Sequence, residues 1–109
     1  MERMETIKAV FRLLNVSLMQ AKILVDLSME YAEGLDNIGD NERLTAIYCI
    51  NAKDMKKLSS LIDDYKAKII NDQSILDYAD YYNTNTNLYY HMHHAIFYSR
   101  IYKHVSCMK

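Results

Sequence analysis

The chain has 109 residues, half of them hydrophobic and a quarter charged, a formal net charge of −1, two glycines and no proline. That length makes one domain, residues 1–109, large enough for a modest core without metal or disulfide support. The composition excludes a largely disordered chain, which would be apolar-poor and strongly charged, and it argues against an all-β fold, whose many turns draw on Gly and Pro.

The first element is a long helix, expected over about 2–33. Ile7, Val10, Phe11, Leu14, Leu18, Ala21, Val25, Ser28 and Ala32 form one stripe at helical spacing, and Leu13, Val16, Ile23, Leu24, Leu27 and Tyr31 widen it. An apolar sector wider than about 100° contacts more than one neighbour. The early charges Glu2, Arg3, Glu5, Lys8 and Arg12 interrupt any signal-peptide core. With two cysteines, Cys49 and Cys107, and no secretory pattern, the expectation is a cytoplasmic protein with reduced thiols. No run approaches the roughly 18–20 apolar residues of a membrane span, so no membrane association is expected.

Gly34 stands where a left-handed helix cap belongs. The turn-rich connector from Gly34 to Asn41 is short, and Asp40 or Asn41 can cap the next helix. A short connector between long helices predicts an antiparallel hairpin. The second helix is expected over about 41–70. Leu44, Tyr48, Asn51, Met55, Leu58, Ile62, Tyr65 and Ile69 alternate by four and three, an a/d stripe that a strand of period two cannot use. Such a helix is about 38 Å long at about 1.5 Å per residue.

Asn71 to Ser74 reads as the next break, with Ser74 capping a short helix over 75–82. Asn83-Thr-Asn-Thr-Asn87 reads as a polar loop. The last segment, 88–107, is rich in residues that favour strands, yet Tyr90, His94, Phe97 and Ile101 keep helical spacing and no partner strand exists elsewhere. The fold class is therefore all-α: a small helical bundle built on a long antiparallel helical hairpin, a short helix and a C-terminal helix.

Function is less legible. His91, His93, His94 and His104 do not make a zinc motif: His91 and His94 share a face as one edge, which Asp77 or Asp80 would have to complete. Arg100 and His104 lie one turn apart on a face, without the spacing of a nuclease motif. No cofactor, catalytic residue or metal site is expected, and a nuclease or metal-dependent hydrolase is disfavoured. After Asp80 there is no acidic residue, while Arg100, Lys103 and Lys109 are interleaved with aromatics. That pattern suits an acidic protein surface or, as the alternative, single-stranded nucleic acid.

The expected partner-binding residues are Tyr89, Tyr90, His94, Tyr98, Arg100, Tyr102 and Lys103. A lone polar residue at a core position often sets oligomer state, so Tyr48, Asn51, Met55 and Leu58 are the expected homodimer interface. The reading is a non-enzymatic, regulatory protein–protein interaction protein. Its small size and lack of motifs fit a phage or mobile-element inhibitor of a host protein machine. The alternative is a nucleic-acid-binding regulator using the basic, aromatic C-terminal helix.

Overall fold

The computed structural model describes residues 2–76 and 81–108, and side chains over 2–71 and 89–108. Among these, five α-helices and no strand are present: α1 (Arg3–Leu14), α2 (Leu18–Ala32), α3 (Asp40–Ala52), α4 (Met55–Leu76) and α5 (Tyr81–Cys107). The all-α class stands, and so does the helical reading of the last segment.

The two long helices are each broken. Asn15 closes α1 in the left-handed region at φ 53°, and the Ser17 hydroxyl accepts the Gln20 N–H at 3.1 Å to open α2. Asn tolerates that conformation better than most residues, and Ser is a preferred N-cap. The break lets α2 fold back on α1, so 2–33 is not one leg of a long hairpin. The Gly34 expectation is met, at φ 77°. Neither Asp40 nor Asn41 caps α3: Gly39 precedes it without a side-chain cap, and Asp40 and Glu42 place negative charge in the first turn, where the helix dipole favours it.

The second break follows α3. Lys53 is left-handed at φ 52°, its N–H reaches Ile50 O at 3.3 Å, and Asp54 N–H reaches Cys49 O at 3.0 Å. These two bonds make a Schellman termination, usually formed with glycine. Asp54 then caps α4 by accepting the Lys57 N–H at 3.0 Å. The a/d stripe survives in α4, where Leu58 and Ile62 are buried and Tyr65 half-buried. It fails in α3, which buries Ala46, Ile47, Cys49 and Ile50 and leaves Tyr48 exposed.

α4 continues through Ser74 to Leu76, and α5 already includes 83–87 as helix, so the expected loop there does not exist. The expected short helix over 75–82 falls partly on 77–80, outside the described residues. Asn and Thr cost at most about 0.7 kcal/mol each in a helix relative to Ala, and among the described residues the α4–α5 contact is the most extensive between helices.

Helix contacts define the architecture among the described residues. α1 packs on α2, α2 on α5 and α5 on α4, a row of four, while α3 touches every member of the row. Ile7, Val25, Ile47, Leu58, Phe97 and Ile101 belong to one core cluster drawn from all five helices. α3 thus covers the row, and the sides of α2 and α5 opposite their buried residues are left to solvent.

Candidate functional site

Among its described side chains, α5 buries His94, Ala95, Phe97, Tyr98, Ile101 and Val105. Two expected partner-binding residues therefore belong to the core: His94 is 0% and Tyr98 2% exposed. The correction has a simple cause. Their spacing matches that of Phe97 and Ile101, so the turn of α5 that faces α3 and α4 carries them inward.

They are held in a polar aromatic cluster. His94 Nδ1 lies 2.8 Å from Tyr90 O, and Nε2 lies 3.2 Å from Glu42 Oε1, off the direction of a well-formed hydrogen bond. Tyr90 OH donates to Glu42 Oε1 at 3.4 Å, and Tyr98 OH to Glu42 O at 3.5 Å. The Tyr65 ring stacks on His94 with centroids 4.8 Å apart and on Tyr98 at 5.9 Å. Burial pushes the Tyr98 phenol well above its usual range, reinforced by Tyr65 and Glu42. Burial also raises Tyr65 and Tyr90, the latter helped by the Glu42 carboxylate. Tyr90 and Tyr98 act as neutral donors and Tyr65 as a ring surface; the cluster locks α3 to α5 and α4.

Gly39 leaves room for this arrangement, since a Cβ there would come 2.7 Å from Glu42 Oε2.

The histidines do not converge. His93 Nδ1 lies 2.6 Å from Asp36 O, His104 Nδ1 lies 3.0 Å from Tyr31 OH, and His91 packs against Tyr65 and Tyr90. Among the described residues no group of three or more His, Cys, Asp or Glu side chains could hold a metal. The Asp77 and Asp80 considered as further ligands lie outside the described side chains. Arg100 and His104 are drawn to the end of α2, where Arg100 Nη1 donates to Tyr31 O at 3.2 Å and Glu33 O at 3.3 Å. The guanidinium satisfies carbonyls that a helix end leaves open.

The expected dimer set is also dispersed. Leu58 is 0% exposed and cannot meet a second copy. Met55 is half-buried, and Asn51 Oδ1 accepts from Gln20 Nε2 at 3.4 Å within the chain; Tyr48 alone of the four is fully on the surface.

What α5 does present is a second stripe, opposite the first. Met92, Ile96, Ser99 and Lys103 are exposed at spacings of four, three and four, with Arg100 beside them. Together with Lys66 and Ile69 of α4 and the edge of Ala95 they line an open groove of about 500 Å³. Its lining joins the apolar Ile69, Met92 and Ile96 to the cations Lys66 and Lys103, with Arg100 beside them but its guanidinium turned to the α2 carbonyls, and no carboxylate is among the lining residues. Of the expected partner-binding set, Arg100 and Lys103 belong to this groove. Tyr89 is exposed about a turn before Met92, Tyr90 is turned toward Glu42, and Tyr102 sits some 100° around the helix from Lys103. Met92, Ile96, Lys66 and Ile69 line the groove without having been among the expected residues, and the Met92–Ile96–Ser99–Lys103 spacing is the signal in the sequence that points to them.

No helix among the described residues is long and apolar enough to cross a membrane. No family model, curated protein or solved structure matches the chain.

Proposed function

We propose that this protein is a non-enzymatic interaction module that binds a helical segment of another protein in the groove between α4 and α5. The observation that supports this reading is the pairing of apolar lining residues, Ile69, Met92 and Ile96, with the cations Lys66 and Lys103 in one open groove. An amphipathic helix lays its apolar face into such a groove, and cations at the rim steer a partner whose flanks carry Asp or Glu. From Met92 to Lys103 the groove runs about 16 Å at about 1.5 Å per residue, room for three turns of a partner helix. Both cysteines are unpaired, in keeping with a reducing cytoplasm. Acting as a regulator or inhibitor of a larger protein machine, as in a phage or mobile element, requires nothing beyond such a groove.

The test pairs two measurements on the full chain. Fluorescence anisotropy with amphipathic helical peptides should give tight binding for acidic flanks and weak binding for basic ones, and Met92→Glu or Ile96→Glu should abolish it. Affinity capture from lysate should then recover the same protein with and without nuclease, and lose it with either variant. A second reading, nucleic-acid binding, draws on the same cations and on the absence of acidic residues after Asp80. It predicts recovery that vanishes with nuclease and gel-shift affinity that falls steeply with salt.

A further inference from the structure

A cavity of about 20 Å³ lies where α1, α2 and α3 pack together. Arg3 and Thr6 of α1, Ser28 of α2 and Arg43 of α3 supply the polar part of its wall, and the buried Val25 and Ile47 stand beside them. Such a volume admits one water-sized particle, which needs roughly 10–15 Å³, and is too small for a polyatomic anion. Two polar atoms of this wall are shut off from solvent without a hydrogen-bond partner among the described residues: Ser28 Oγ, in a residue only 1% exposed, and Arg43 Nε. Leaving such a group unmatched is costly, most of all for a charged one. Both can donate, and an arginine Nε can do nothing else.

The other polar groups are already engaged. Thr6 donates its hydroxyl proton to Glu2 O at 3.1 Å. Arg3 donates to both oxygens of Asp26, at 2.9 and 3.1 Å, and is neutralised there. No Asp or Glu lines the cavity, so Arg43 brings to it a positive charge that nothing on the wall balances. We propose that the cavity binds one chloride ion, held by Ser28 Oγ–H and Arg43 Nε–H, as a structural site joining three helices. A water would match the two donors but leave the guanidinium charge unbalanced, and it would need acceptors for two protons of its own. A monatomic anion matches donors and charge together, and charge-assisted bonds of this kind are the stronger ones. The cavity shares no lining residue with the α4–α5 groove, so this site and that groove stand or fall separately.

An ion that binds only the folded chain raises its stability with concentration, which gives the test. Thermal melts of the full chain are run at constant ionic strength, with sodium chloride replaced stepwise by sodium gluconate, whose anion is too large to enter. The melting temperature should rise by roughly 5 °C per tenfold increase in chloride above the dissociation constant. Ser28→Ala and Arg43→Met should fold, by circular dichroism, and lose that rise. Chloride-35 NMR of the parent should show excess line broadening that bromide displaces. Equal melting temperatures in chloride and gluconate, without excess broadening, would mean that water fills the cavity and would overturn the proposal. A chloride-dependent rise that both variants retain would overturn it too, as a general salt effect. Should either variant fail to fold, the broadening in the parent and its displacement by bromide decide the matter.

Discussion

The α1–α2 face, with Met4, Leu18, Met19 and Ile23, and the α4–α5 groove are both exposed apolar surfaces on helices whose opposite sides build the core, yet their rims differ. The first carries an Arg3–Asp26 ion pair with Lys22 beside it; the second has Lys66 and Lys103, with the Arg100 guanidinium turned away to the α2 carbonyls. Apolar area gives adhesion of little selectivity, and the charges around it decide which partner is tolerated. An ion pair closed within the chain steers little, whereas a single-sign rim repels its own copy and attracts the opposite sign.

The largest effect comes from removing what both regions share. Tyr98→Ala empties a core position joining α5 to α3 and α4 and should cost about 3–5 kcal/mol, as for other large aromatic truncations, measured by urea denaturation; both surfaces would be lost with the fold. Tyr98 also sets an alkaline limit. Its folded-state pKa is raised by burial above the ordinary value of 10.0, so the unfolded phenol loses its proton first. Stability is full below about pH 10 and declines as pH rises through the folded value. Thermal melts across that window should fall steeply for the parent and less for Tyr98→Phe, which keeps the ring.

Ile23→Asp and Ile96→Asp separate the two surfaces. The first should leave peptide binding intact; the second should weaken it by about tenfold or more, about 1.4 kcal/mol. If Ile23→Asp impaired it equally, the groove would not be the peptide's site. Ser17→Ala removes the cap that starts α2 and should cost about 1 kcal/mol in a thermal melt, fraying the helix that carries the α1–α2 face while sparing the groove. The smallest effect is in salt response: raising ionic strength should weaken peptide binding, because the groove's charges act as a single-sign field.

Much of this could be read from residue spacing. The all-α class, the Gly34 cap and the buried stripe of α4 follow from period and turn chemistry, which are local. The breaks at Asn15–Ser17 and at Lys53–Asp54 were harder. Asn15 and Ser17 are a turn residue and a cap in the right order, but they sit inside an apolar run that a continuous helix satisfies equally well. Lys53 offers no local signal, since a Schellman ending favours glycine there. The site was half legible. Arg100 and Lys103 belong to the groove, while the aromatic and histidine content of α5 drew attention to His94 and Tyr98, which lie in the core. Composition identifies which residue types a helix owns; it does not say which side of the helix is covered.

The sequence by itself determined that this chain forms helices, because the apolar period is a property of each segment and can be satisfied in only one regular backbone. Only the tertiary structure decided which stripe of α5 faces inward, that α3 buries Ala46, Ile47, Cys49 and Ile50 in place of Tyr48 and Asn51, and that Leu58 is internal. The physical reason is that α5 carries apolar residues on two opposite faces, and a helix with two such faces buries the one that its neighbours complement. Here Tyr65, Glu42 and the helices packed against α5 complement His94, Phe97 and Tyr98, and Met92 and Ile96 are left exposed.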